Sequence, residues 1–391
     1  MKQKDVLEKH NNKRRITMKK TKLFSILMLV VFVFITILFI PGCKNEAEQK
    51  VIKIGAILPL TGWSAEFGQH ERAATEIAVK KLHESYPNWQ IQLSVEDTES
   101  DVKNAINAFQ KMLSTQKPGF ILVESSSASL ALGKLFDENK IIMLSISANP
   151  EVTQKAQFVF RNFPTAEEET EKVLEYALKK LNIKRIGLLY INNDYGLGYK
   201  NPFEKYAKEL NGELVFTDSY SSETKDFKPV IQKLINSKAE AVYIVGYGSA
   251  MGLIIKQLRE MNYTGTVLAC SSVIYDDVLS ISPGSVEGVI FTDIPYDVEN
   301  GTGETKEFVQ EYSKKMGKLP SPLAAMTYDG IMMIIKQLVA ENGDPAKARE
   351  SLLKKGEYEG INGKIGIPFS RDLKYQLIVK EVKGGKGIII E

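Results

Sequence analysis

From residue 51 onward, short runs rich in β-branched residues alternate with amphipathic helical stripes, and few folds accommodate that rhythm. Val51-Ile52-Lys53-Ile54-Gly55-Ala56-Ile57-Leu58 reads as a buried strand. After a polar loop at 61–64, Ala74, Ile77, Ala78 and Leu82 share one helix face. Strands are expected at 91–95, 120–123 and 141–144, with a helix at 102–113. A second series starts after Phe163-Pro164, where Leu174, Ala177, Leu178 and Leu181 form a stripe. Glu167-Glu168-Glu169 precede that stripe and Lys179-Lys180 close it, the signs that suit a helix dipole. Strands at 185–190, 213–217, 241–245 and 266–269 alternate with helices near 202–210, 227–234 and 251–261. Repeated βα units imply parallel sheets covered by helices on both faces. The pieces after residue 287 are too scattered for a third domain, so they are expected to return and complete both lobes. The expected division is 51–162 with 293–340 for the first lobe and 163–292 with 341–391 for the second. A cleft between two such lobes is a common place for a small ligand.

The N-terminus speaks to compartment. Met18-Lys19-Lys20-Thr21-Lys22 is basic, residues 23–40 carry no charge, and Ile40-Pro41-Gly42-Cys43 ends the apolar run. This resembles a bacterial lipoprotein signal, with Cys43 as the acylated residue. Residues 1–42 are then a signal peptide (Met18 being a possible true start), and 43–50 a tether. The expected location is extracytoplasmic, lipid-anchored to the bacterial membrane at the cell surface or in the periplasm. Residues 1–42 carry +7 of a total of +3, so the remainder is at −4. That balance lacks the basic footprint of a nucleic-acid binder. With Cys43 lipidated, Cys270 has no partner, so a core of roughly 350 residues must hold the fold without disulfides.

The sequence has no phosphate-binding GxxxxGK[ST] loop, GxGxxG after a strand, HExxH, CxxC or GxSxG. His70 and His83, on or beside the first helix, read as solvated. No catalytic residue, metal or cofactor is therefore expected. The polar clusters fall instead where strands end. They are Ser125-Ser126-Ser127-Ala128-Ser129, Ser145-Ile146-Ser147-Ala148-Asn149-Pro150, Asn192-Asn193-Asp194-Tyr195-Gly196 and Gly246-Tyr247-Gly248. Each alone is an ordinary turn. Their joint placement at the carboxyl ends of strands suits ligand capture, and hydroxyls at a helix start suit an anionic or dipolar group. Trp63 and Phe67, after the first strand, either cap a ligand or pack on their own loop.

The order of Pro59-Leu60-Thr61-Gly62, Glu96-Asp97-Thr98, Ser126-Ser127, Ala148-Asn149-Pro150, Phe160-Arg161, Asn193-Asp194-Tyr195-Gly196 and Gly246-Tyr247 resembles the branched-chain amino acid (Leu/Ile/Val) binding proteins of ABC transporters. That resemblance implies an α/β type I periplasmic binding protein fold, with two Rossmann-like lobes and a three-crossover hinge. It implies that Ser126 and Ser127 bind a ligand carboxylate and that Ser145, Ser147 and Ala148 add contacts. Phe67 would lie near the ligand, and Tyr195 and Tyr247 would close the cleft. Two positions depart from the family. Ala148 replaces a common threonine, and Ser271 stands where an acid holds the ligand ammonium, with Asp276 or Asp277 as candidate substitutes. Val123-Glu124 also stands where Gly-Pro is usual. The expected function is a non-enzymatic, monomeric solute-binding lipoprotein. It hands a small polar ligand, an amino acid or a related amide or acid, to an ABC transporter permease. The alternative is a sensory module of the same fold reporting to a membrane signalling partner.

Overall fold

The computed structural model describes residues 49–391 except 297, 299 and 300, together with Met18 and Met28. The expected signal peptide and Cys43 lie outside the described residues, those two methionines apart.

Five strands form the first sheet: β1 (Lys50–Leu58), β2 (Trp89–Asp97), β3 (Phe120–Glu124), β4 (Ile142–Ile146) and β5 (Val159–Arg161). They run parallel in the order β2-β1-β3-β4-β5. Along β3, Phe120 and Leu122 pack on one face while Ile121 and Val123 pack on the other. Successive side chains alternate across a strand, so a continuous apolar run demands cover on both sides. Helix α1 (Ala65–Ser85) covers the first face through Ala74, Ile77 and Leu82. Helices α2 (Val102–Thr115) and α3 (Ser126–Asn139) cover the second through Phe109, Met112, Leu132 and Phe136. The four-residue α4 (Glu151–Gln154) leads into β5.

Helix α5 (Ala166–Glu175) opens the second lobe, and a reciprocal capping box fixes its start. Thr165 Oγ1 accepts the Glu168 N–H and the Glu168 carboxylate accepts the Thr165 N–H. There follow β6 (Arg185–Ile191), α6 (Asp194–Glu209), β7 (Glu213–Tyr220), α7 (Lys228–Asn236), β8 (Ala241–Val245), α8 (Gly248–Glu260), β9 (Thr266–Ala269), α9 (Asp276–Leu279) and β10 (Ile290–Asp293). The helix expected near 202–210 begins at Asp194, because the Asn193 side chain accepts the Gly196 N–H at 3.1 Å and caps it. Gly196 is required there, since a β-carbon would collide with the Ile191 carbonyl. What read as the loop 192–196 is thus a helix start.

The last segment holds α10 (Gly303–Met316), α11 (Pro322–Ala340), α12 (Pro345–Lys355), the hairpin β11 (Glu357–Gly360) and β12 (Gly363–Gly366), then β13 (Ile378–Lys383) and β14 (Lys386–Ile389). The second sheet has the order β14-β13-β10-β9-β8-β6-β7, with β13 antiparallel to β10 and β14 antiparallel to β13. The division expected at residue 341 is corrected. Ala348, Leu352, Tyr358, Ile365 and Leu373 join the core of the first lobe, and only β13 and β14 enter the second sheet. Periodicity shows that α12 has an apolar face but not which lobe that face covers. The chain therefore passes between lobes three times, after Arg161, after Asp293 and before Ile378, as the three-crossover fold requires. Among the described residues, α11 alone is long and apolar enough to cross a membrane, and 78% of it is buried in the protein. It is a core helix, apolar along most of its length because the protein covers most of it.

His70 is a second correction. It is 3% exposed, and its Nδ1 shares hydrogen bonds with Tyr312 Oη and Ser321 Oγ across from α1. His83 is exposed.

Candidate functional site

Strand ends of both lobes converge on a cavity of about 150 Å³. That is the size of a void able to hold a benzene-sized molecule. From the first lobe come Trp63, Ser64 and Phe67 after β1, Thr98 and Ser100 to Val102 after β2, Glu124 to Ala128 at the end of β3, and Ile146 to Ala148 at the end of β4. From the second come Asn193 and Tyr195 after β6, Tyr247 after β8, and Ser271, Ser272 and Tyr275 after β9. Parallel strands all end on one side, so the turns that follow them face one another when two such sheets are juxtaposed.

On the first lobe, Ser125 turns the chain from β3 into α3 at φ 86° and ψ 144°. This conformation is normally left to glycine and costs on the order of 1–3 kcal/mol. Its hydroxyl accepts the Ala128 N–H at 3.2 Å, which leaves the earlier N–H groups of the helix without intrahelical partners. Ser147 Oγ donates to Ser126 Oγ at 2.8 Å and accepts the Asn149 N–H at 3.1 Å, fixing both hydroxyls. The Ala148 carbonyl is already taken, by Arg161 Nη1 at 2.8 Å and the Ala166 N–H at 3.0 Å. Arg161 is fully buried and pairs through Nε with Asp372 at 2.9 Å.

The second lobe contributes aromatic rings. Tyr247 stacks on Trp63 at 5.2 Å between centroids, meets Phe67 edge-on at 5.8 Å, and lies 5.3 Å from Tyr195. Phe67 and Tyr275 are 5.0 Å apart. The Trp63 and Phe67 contacts span the cleft to rings of the second lobe, so both residues form a wall of the cavity. Asn193 Nδ2 donates to Tyr247 Oη at 2.6 Å. Tyr199 donates to the buried Glu169 carboxylate and shares a hydrogen bond with Tyr195, anchoring that ring to the interior. Burial raises Glu169 to about 8.

Polar contacts also hold the lobes closed. Asn149 Nδ2 donates to the Asp194 carbonyl at 2.8 Å. The N–H groups of Asp276 and Asp277 donate to the Glu66 carboxylate at 3.2 and 2.9 Å, and Lys318 bridges Glu66 and Asp276. Burial opposes ionisation of Glu66, yet hydrogen bonds from His70 and the Asp277 N–H, together with Lys318, hold it at about 2. Burial and the Glu66 charge push the Asp277 carboxyl up to about 7.

Of the residues singled out by sequence, Phe67, Ser126, Ser127, Ser147, Ala148, Tyr195, Tyr247 and Ser271 line the cavity. Ser145 does not. Strand alternation puts it with Met143 beneath α3, where its hydroxyl donates to Ser129 Oγ at 2.7 Å. Asp276 and Asp277 also stand outside the lining, in the latch with Glu66. Sequence reasoning noted Glu124 only as a departure from the family, though it lines the cavity and is raised by burial to about 8, and it passed over Glu71 behind it. Glu71 is fully buried with both oxygens unpartnered, and burial with the Glu124 charge raises it well above the usual range. A carboxylate ending the apolar run Phe120-Ile121-Leu122-Val123, and another three residues before Ala74 on the apolar stripe of α1, were the available signals.

The known proteins this chain is similar to agree with that architecture. The family described as periplasmic binding protein matches residues 51–372. A leucine-binding protein of Thermotoga maritima is 30% identical with a TM-score of 0.80, over 87% of this chain and 98% of that one. A solute-binding protein of R. palustris solved with 4-hydroxybenzoate is 22% identical with a TM-score of 0.79, over 87% and 96%. The leucine-, isoleucine-, valine-, threonine-, and alanine-binding protein of Pseudomonas aeruginosa is 22% identical over 83% of this chain and 87% of its own. With the family match spanning most of the sequence, the three crossings between lobes and the cavity at their strand ends, the chain belongs to the periplasmic binding protein family, in the type I group that includes the branched-chain amino acid binding proteins.

Proposed function

We propose that this chain is an extracytoplasmic receptor that closes its two lobes on a small solute and delivers it to an ABC transporter permease, held at the membrane by lipid on Cys43. The observation that carries the reading is the closed cavity itself, walled by both lobes and matched in size to a single small molecule. A solute touching both walls stabilises the closed state over the open one by its differential affinity, and a permease reads that closed state. Ser126, Ser127 and Ser147 supply hydroxyls on one wall, and Phe67, Tyr195 and Tyr247 supply rings around it. The relatives bind amino acids and, in the R. palustris protein, an aromatic acid, which sets the first compounds to try.

A thermal-shift screen of amino acids, amides, amines and aromatic acids tests the binding step. A solute at a hundred times its Kd stabilises the fold by about 2.7 kcal/mol, several degrees in melting temperature. Silence across a broad metabolite set counts against solute capture. For the anchor, Cys43→Ala is expected to move the chain from the membrane fraction to the soluble fraction; unchanged partitioning removes the lipid from the reading.

A further inference from the structure

The cavity combines acidic and aromatic character with no compensating positive charge. Among the described residues that line it, none is Lys, Arg or His. Glu124 lines it from the end of β3, and no hydrogen bond or ion pair within the described protein engages its carboxyl. Glu71, fully buried on α1, stands close enough behind for the two charges to repel, and both its oxygens are unpartnered. Tyr247 approaches Glu124 from the second lobe. Two adjacent carboxyls without partners are costly to bury, and like charges so placed cannot both ionise.

Resting on the reading of this cavity as a solute site, we infer that Glu124 is the partner of a cationic nitrogen, so that the solute carries an ammonium group. Its positive end would enter the first lobe beside Ser125-Ser126-Ser127. Three features select that chemistry. The first wall ends in a carboxyl group that no cationic side chain of the lining neutralises. The rings of Trp63, Phe67 and Tyr247 favour a cation over an anion at their faces. An isolated carboxylate ligand would have to keep Glu124 protonated and would find no cationic side chain on the wall to balance its own charge. An α-amino acid also satisfies the geometry, with its carboxylate at the start of α3 and its ammonium at Glu124. The acid that Ser271 does not supply is then provided from the opposite wall. Near neutral pH, binding converts the Glu124 carboxylic acid into a carboxylate paired with the cation, and the proton passes to buffer. Glu71 and Tyr247, which face Glu124 from α1 and from the turn after β8, stay protonated.

Calorimetry on the purified full-length chain in detergent decides it, with four probes: 3-methylbutylamine, leucine, 4-methylpentanoate and benzoate. The expected result is heat with one or both ammonium carriers. Titrations in two buffers of different ionisation enthalpy should then show proton release at pH 7. Glu124→Gln should weaken that binding 10-fold to 100-fold and abolish the release, while Glu124→Asp retains part of each. The glutamine is near-isosteric, and its melting curve confirms folding. Binding of 4-methylpentanoate or benzoate in preference to the amines, unchanged or improved in Glu124→Gln, overturns the inference and leaves solute capture standing. No heat with either ammonium carrier also overturns it, and the broad screen then judges solute capture separately.

Discussion

On the first lobe, the cleft wall consists of strand ends running straight into hydroxyl-rich turns, Ser125-Ser126-Ser127 after β3 and Ser147-Ala148 after β4. On the second, it consists of tyrosines, Tyr195, Tyr247 and Tyr275, standing on helix starts and a short 3₁₀ turn. The first wall is continuous with the core beneath it: the Ala148 carbonyl is tied to buried Arg161, and Ser147 to Ser126. The second wall is a set of rings whose hydroxyls are held from behind, Tyr247 by Asn193 and Tyr195 by Tyr199. The first wall therefore offers fixed polar groups and a carboxyl group, and the second closes over them with apolar area. Under the proposed solute reading, orientation belongs to one lobe and enclosure to the other.

Arg161→Ala should have the largest effect, because it takes the cationic partner from Asp372 and one of the two donors from the Ala148 carbonyl. Removing one partner of a buried pair costs about 3–5 kcal/mol. Urea denaturation should show the midpoint falling by that equivalent; a loss under about 1 kcal/mol would mean the first wall does not lean on its core. Tyr247→Ala should separate the walls next. It removes the stack on Trp63 without opening the core, so affinity should fall by about 2 kcal/mol, roughly 30-fold, while the unliganded melting temperature moves little. Equal losses of stability and affinity would put Tyr247 in the framework instead.

A third difference is in pH. Glu124 on the first wall and Glu169 inside the second lobe are both raised to about 8 by burial. Between about pH 4.5 and 8 the unfolded chain has released these protons and the folded chain has not. Stability is thus fullest below that window and declines through it, by at most about 1.4 kcal/mol per pH unit for each group. Glu169→Gln should flatten the slope with and without 3-methylbutylamine present. Glu124→Gln should flatten it only without that amine, since the bound cation already removes the proton. Identical behaviour of the two variants would erase the distinction drawn between the lobes.

Much of this organisation was legible in the sequence. The two βα series, the hydroxyl clusters at strand ends and the tyrosines after β6 and β8 follow from periodicity and from where parallel strands terminate. Ser145 was misplaced because it lies inside β4, where one residue of register exchanges the cavity for the underside of α3. His70 looked solvated because its partners, Tyr312 and Ser321, lie more than 240 residues away.

Local pattern determined the element types, the parallel sheets and the edge at which a ligand site forms, because each depends on neighbours within a turn or a strand. Only the tertiary structure decided that α12 and the β11–β12 hairpin cover the first lobe, and that Trp63 meets Tyr247 across the cleft. It alone put Glu71 behind Glu124 as well. Those outcomes rest on which apolar faces find each other and on how much water two carboxyls lose together. Both are sums over contacts distant in sequence, which no local stretch of residues contains.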